Sequence, residues 1–493
     1  MSSDKSQSEA ENMLSFKRYF INNLDSYHGE YVLRELSKVL EKNAELSTKP
    51  TSITILAEDA EPTAPRPPEQ LYEIIGTVSD SKVKTIDNVA RIITKSECLP
   101  NMLTCGTVVF DISYDREELQ IAMDYLKLLK ELLEKQSVAG ANTADFGDGD
   151  GESKKRYLIL ISTVMTWAST KPLDPDTPDL PFIETDFRKR KPHPNYKIHY
   201  DIENEVVGIA RKYKTQIGAL VVTTGVTYGG SEDVLFYWFQ KAWECEKLLP
   251  ILGRGGNVVP LINVLDLAQI IYNLITDFPK KLYVLAVEQN IVKQREIVKP
   301  LGRTAGSGMF KCITKEDAFL IPEINVNIIR IVGQQRIYDL MTVNLNMEPT
   351  FIVETMALQW TSELTFAENV PALMKQFKKE RGLKPFKIIV YGPPIVGKTT
   401  LSKLTAEAYG LVYISPDTVA QDMLEDLTWR VDHWDVGEFA ALPRPTGEEE
   451  DPDAANTDDD LGDEEGVQET ARQTLAILRS GRLLTDEEIM GSL

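Results

Sequence analysis

The chain has 493 residues, 42% hydrophobic and 26% charged, which is too much for one core and ordinary for a water-soluble protein of two or three domains. Its formal net charge of −21 is unevenly placed, with roughly half of the acidic excess in residues 448–465 and a smaller share in 145–152. No basic stripe interleaved with aromatics occurs, so a nucleic-acid partner is not expected. The four cysteines, Cys98, Cys105, Cys245 and Cys312, lack metal-ligand spacing and read as free thiols of a reducing compartment. The N-terminus has no apolar signal core and no uninterrupted apolar run is long enough to span a bilayer, so a cytoplasmic chain without a membrane segment is expected.

In chain order, residues 1–15 are polar and expected to be disordered. Arg18–Ile21 suggests a first strand, Tyr31–Leu40 a helix and Ile53–Leu56 a second short strand. The Pro-rich, acidic stretch 58–70 reads as a surface loop. Strands are expected at Tyr72–Gly76 and Thr107–Ile112, and a helix at Glu117–Lys135, followed by a Gly/Asp-rich excursion over 139–153. Arg156–Thr163 is a continuous apolar run of the kind buried on both faces in a parallel sheet. Helices at Glu203–Tyr213 and Val264–Ile275 alternate with strands at Gly218–Thr223 and Leu282–Val287, the pattern of a doubly wound α/β domain over 16–312. Residues 313–382 form a mixed connecting region ending in a helix, Leu373–Arg381. A boundary near 383 opens a second α/β unit over 383–493. Within it, the acidic stretch 446–466 cannot bury apolar surface and is expected to be a disordered insert.

The sharpest motif opens the second unit. Residues 387–400 read KIIVYGPPIVGKTT, an expected strand running into Gly392-Pro-Pro-Ile395-Val396-Gly397-Lys398-Thr399-Thr400. This is a complete G-x-x-x-x-G-K-[ST] loop. Its glycines turn successive backbone N–H groups around a phosphate, Lys398 reaches the β/γ-phosphates, and the Thr399 hydroxyl ligates Mg²⁺. Leu401–Tyr409 continues with helical spacing to Gly410, an expected C-cap, and its N-terminus adds a dipole behind the anion. The motif predicts a nucleoside triphosphate, ATP, with Mg²⁺.

The first unit lacks the corresponding chemistry for a dinucleotide. In FINNLDSYHGEYVLREL only Gly29 stands where a dinucleotide fold needs three glycines, so NAD(P) is not expected. Later segments resemble the extended short-chain dehydrogenase/epimerase family: LILISTVMTWA (158–168), VVTTGVTYG (221–229) and GRGGNVVPLINVLDLA (253–268). The resemblance implies a Rossmann-like fold with Ser162 or Thr163 at the family's serine. Yet Tyr196 is followed four residues on by Tyr200, and Tyr200 by Asn204, so the lysine that lowers the tyrosine pKa is missing at both. His193 and His199 in the same stretch are expected to be surface residues. The domain reads as a retired oxidoreductase fold used for packing or binding.

The second unit resembles adenylate kinases, and the order of segments across the chain resembles the long adenylate kinases of motile cilia and flagella that carry an N-terminal epimerase-like domain. The resemblance implies ATP held by Gly392 and Ile395–Thr400, with Lys398 catalytic. On the AMP side it implies Ser415, near the start of YISPDTVAQ with Ile414 and Asp417, and Arg482, Leu483 and Leu484 in the "G-x-L" turn. It also implies axonemal protein partners and a place in the cilium or flagellum. The family's "D-G-F-P-R" strand, lid and phosphate-clamping arginines do not occur before Leu493, so the kinase domain is expected to be partial. Two functions stay open: transfer of the γ-phosphoryl group from ATP to AMP, and an inactive axonemal scaffold.

Overall fold

The computed structural model describes residues 15–47, 73–113 apart from 81 and 84, 116–141, 155–172, 177, 180–324 apart from 247, 307 and 323, 336–409 apart from 357 and 385, 411–415, and scattered positions from 418 to 477. It divides into two compact units, Met1–Leu383 and Lys384–Leu493.

Among the described residues the first unit has eleven strands: β1 (Ser15–Ile21), β2 (Glu73–Thr77), β3 (Arg91–Ile93), β4 (Cys105–Asp111), β5 (Arg156–Thr163), β6 (Ile217–Thr224), β7 (Val226–Tyr228), β8 (Leu249–Leu252), β9 (Leu261–Asn263), β10 (Tyr283–Ala286) and β11 (Phe310–Ile313). Seven form one sheet in the order β10-β6-β5-β4-β1-β2-β3, every pair parallel. This is the doubly wound order, in which the direction of winding reverses between β1 and β4. Its central strands are buried end to end because helices cover both faces. Alternation along β5 sorts the two cores. Leu158 and Leu160 join Val108, Phe110, Leu126, Leu129, Val206 and Ile209 on one side, while Ile159 and Ile161 join Leu24, Val32, Leu267 and Ile271 on the other.

Several elements begin earlier than periodicity suggests. The helix expected from Glu203 spans Lys197–Lys212, and the one expected from Leu373 spans Phe366–Glu380. In the second case Pro371 looks like a helix start, but a capping box places the start at Thr365: its hydroxyl accepts from Glu368 N–H, while the Glu368 carboxylate accepts from Thr365 N–H (3.0 Å). Phe366, Val370, Leu373 and Phe377 on this helix are buried in the first unit's core. The helix expected to end near Lys135 continues to Ala141. The expected strand 53–56, the loop 58–70 and the acidic insert 446–466 lie outside the described residues.

In the second unit, the helix Lys398–Tyr409 follows the glycine loop directly. Leu411 N–H donates back to the Ala406 carbonyl (2.8 Å), the long bond of a Schellman-type end, although Gly410 itself lies outside the described residues. The run 387–391, expected as a strand, joins no ladder among the described residues, and Ile389 and Tyr391 are 86% and 90% exposed. A strand exists only by pairing, and β-propensity alone does not supply the neighbour.

Candidate functional site

The glycine loop of the second unit holds two residues with positive φ. Ile395 and Gly397 both adopt left-handed conformations (φ 68° and 83°), and such an alternation turns consecutive N–H groups toward one side to make an anion-binding concavity. For Gly397 the conformation suits the residue; for Ile395, a β-branched side chain with no buried surface, it is a strain held by the loop. The Lys398 ammonium folds back across the loop and donates to the carbonyls of Gly392 (2.8 Å) and Pro393 (2.6 Å). Thr399 and Thr400 stand exposed on the first helical turn, and Leu401 N–H donates to the Gly397 carbonyl (3.0 Å), so the helix axis begins at the loop. Gly392, Ile395, Val396, Gly397, Lys398, Thr399 and Thr400 are thus gathered around one bend. Ser415 is used locally: it and Thr418 cap each other, Ser415 N–H donating to Thr418 Oγ1 (2.8 Å) and Thr418 N–H to Ser415 Oγ (3.2 Å). Asp417 and Arg482–Leu484 lie outside the described residues.

The first unit's crevice, outside the carboxyl ends of β1 and β4, is filled by side chains from the first helix, Tyr27–Ser47. His28 Nδ1 lies 2.8 Å from Asp111 Oδ2 and Nε2 lies 3.0 Å from Thr227 Oγ1, all three residues being buried. Ser113 donates to the same carboxylate through its N–H (2.8 Å) and hydroxyl (2.6 Å). Burial works to raise the Asp111 carboxyl, but the His28 ring and these hydrogen bonds outweigh it and hold it below its usual range. His28, Ser113, Thr163, Tyr196, Thr224 and Thr227 line a cavity of about 20 Å³, room for one water.

Ser162, one of the two candidates for the family serine, is occupied elsewhere. Its hydroxyl donates to Glu203 (2.5 Å), which also accepts from Arg190 Nε (3.0 Å) and Tyr283 OH (3.0 Å). Burial raises the Glu203 carboxyl despite the Arg190 guanidinium beside it. Arg190 also donates to Asn204 Oδ1 (2.9 Å) and stacks on the Tyr200 ring (4.6 Å to the centroid). Both positions where a catalytic lysine is missing are therefore committed to one buried arginine.

The histidines divide. His193 is half-buried and caps the turn Pro194–Tyr196 by accepting from Asn195 N–H (3.3 Å). His199, expected at the surface, is 2% exposed, because the helix begins before it and turns it inward. Desolvation pushes its pKa down to about 4. No group of three metal-ligating side chains occurs among the described residues, and no described helix is long and apolar enough to cross a membrane. Sequence reasoning missed the His28–Asp111–Thr227 and Glu203–Arg190 networks. A carboxylate ending a buried strand at Asp111 was the one available signal, and nothing in the run Arg188–Lys191 distinguishes the buried arginine from its exposed neighbours.

No protein-family model matches the chain. Among solved structures it is similar to dTDP-glucose 4,6-dehydratase of Bacillus anthracis in complex with NAD (13% identity, 74% of this chain and 98% of that one, TM-score 0.48). It is also similar to UDP-glucose 4-epimerase of Thermus thermophilus in complex with NAD (11% identity, 74% and 100%, TM-score 0.46). In sequence it is 33% identical over 326 residues to adenylate kinase 7 of Mus musculus, covering 66% of this chain and 49% of that protein. With adenylate kinase 7 of Macaca fascicularis the identity is 34% over 237 residues, covering 48% and 43%. The chain spans about half the length of the curated relatives it matches. It is a homologue of adenylate kinase 7 across two thirds of its own residues.

Proposed function

We propose that the second unit binds ATP with Mg²⁺ at Gly392–Thr400 and, as an adenylate kinase-like protein, passes the γ-phosphoryl group to AMP. The observation that carries this reading is the Lys398 ammonium lying across the bend on the Gly392 and Pro393 carbonyls. Those are neutral acceptors, and a polyphosphate is a stronger partner for the same ammonium. The amides of residues 395–400 take the phosphate oxygens, and the helix N-terminus adds its dipole. Thr399 supplies a hydroxyl to Mg²⁺, whose other ligands come from the phosphates and water. On the acceptor side Ser415 and Arg482, Leu483 and Leu484 contact AMP. The protein acts in the cytoplasm of motile cilia or flagella, alongside axonemal proteins.

The test is thermal melting with ATP·Mg²⁺, coupled to an ADP-production assay. Ligand at a hundred times its Kd stabilises by about 2.7 kcal/mol. Lys398→Ala should lose that gain and any turnover. Equal stabilisation of the Lys398→Ala chain by ATP would sink the reading. A second reading, an inactive axonemal scaffold, is favoured by the filled crevice of the first unit. Stabilisation by ATP without ADP formation would select it.

A further inference from the structure

The strand order implies a dinucleotide cofactor at the crevice between β1 and β4, and we propose that this chain has closed that crevice with its own side chains, so that the first unit is a scaffold that takes no nicotinamide dinucleotide. Four observations converge. First, the turn after β1 offers no glycine path for a pyrophosphate. Asn23 (φ 47°) and Ser26 stand in it, and Gly29, the one glycine, is used for packing: a Cβ there would sit 2.2 Å from the Asn23 carbonyl oxygen. Second, the turn carries a carboxylate of its own. The Asp25 carboxylate accepts from the amides of Ser79 (2.7 Å) and Asp80 (2.8 Å), stitching the turn to the end of β2. A pyrophosphate approaching there meets a carboxylate.

Third, His28 points into the sheet's carboxyl edge and ties the helix to Asp111 at the end of β4 and Thr227 in β7. Asn22 adds two bonds to the Asp111 backbone, accepting from its N–H (2.6 Å) and donating to its carbonyl (2.8 Å). Fourth, the next turn of the helix is latched to the loop after β7: Tyr27 OH donates to the Gly229 carbonyl (2.7 Å), and Tyr31 OH accepts from Ser231 N–H (3.0 Å). Beside His28 and Thr227 the remaining cavity of about 20 Å³ has room for one water. His28 therefore does the joining that a cofactor does in an open fold of this order.

The experiment uses the full chain. NADH fluorescence and thermal melting are followed with NAD⁺, NADH, NADP⁺ and NADPH at millimolar concentration. The expected result is no saturable binding and no shift in Tm. His28→Ala is expected to lower Tm by about 5 °C or more, and added imidazole to restore part of the loss, since Asp111 and Thr227 still face the vacated space. Should His28→Ala not accumulate as folded protein, Tyr31→Phe, which removes the hydroxyl that holds Ser231, should lower Tm while still binding no dinucleotide. Saturable NADH binding by the unaltered chain overturns the proposal, as does a His28→Ala or Tyr31→Phe chain that melts like its parent.

Discussion

Each unit has a turn leading into a helix N-terminus, and the two treat it in opposite ways. In the first, the turn 22–29 retains one glycine and is crowded by Asn23, Asp25, Tyr27 and His28, each bonded to a neighbouring element. In the second, the bend 392–400 is exposed, holds two left-handed residues, and its lysine donates to carbonyls of the bend itself. What separates them is side-chain volume and free amides, since the helix dipole is common to both. A glycine also does two jobs here: Gly29 lets backbone approach backbone, and Gly397 permits a conformation.

The contrast can be broken hardest in the first unit's buried ion pair. Glu203→Ala leaves the Arg190 guanidinium without its carboxylate and frees Ser162 and Tyr283, so a loss of about 3–5 kcal/mol is expected by denaturant unfolding. ATP-dependent stabilisation should survive in whatever fraction stays folded. Gly29→Ala comes next. Its methyl meets a backbone oxygen at 2.2 Å, and overpacking should cost about 1–3 kcal/mol without altering nucleotide response.

Gly397→Ala is the counterpart. Among the described residues nothing lies within 4 Å of the added Cβ, so no clash adds to the backbone strain and the global melt should move little. The φ of 83° disfavours alanine, however, and ATP affinity should fall by roughly tenfold, about 1.4 kcal/mol. An unchanged affinity would mean that the bend is not the binding element.

The smallest effect is expected from pH. Burial pushes Glu288 up to about 7 and Glu232 up to about 8. Each carboxyl holds its proton in the folded state after the unfolded chain, near 4.5, has released it, so each subtracts stability as pH rises from 4.5 to its folded value. His199 acts in the other direction but only below its ordinary 6.5, where the unfolded chain takes up a proton that the buried ring refuses. Above pH 6.5, Glu288 (up to about 7) and Glu232 (up to about 8) act without that opposition, and the first unit's Tm should decline. Glu232→Gln with Glu288→Gln should flatten the slope, and an unchanged slope would mean that other groups set it.

Much of this was legible beforehand. Arg156–Thr163 matches β5 at both ends because Leu158–Ile161 is an unbroken apolar run buried on two faces, with polar residues only towards the strand's ends. The segments after it fell within a residue or two of β6, β10 and the helix Val264–Thr276. The start of Lys197–Lys212 was not legible, because its first turn carries His199 and Tyr200 where an apolar stripe was sought. The run 387–391 has every mark of a strand and pairs with nothing described, since local pattern does not reveal a missing neighbour.

By itself, the sequence determined what is local: the alternation that builds the parallel strands, the glycine-lysine-threonine spacing of 392–400, and the loss of glycines after β1. Those follow from backbone sterics within a few residues. Only the tertiary structure decided that His28, Asp111 and Thr227 meet and that Arg190 is the arginine paired with Glu203. Residues 28 and 227 are 199 positions apart, and which distant side chains share a buried space is settled by how the strands are ordered in the sheet.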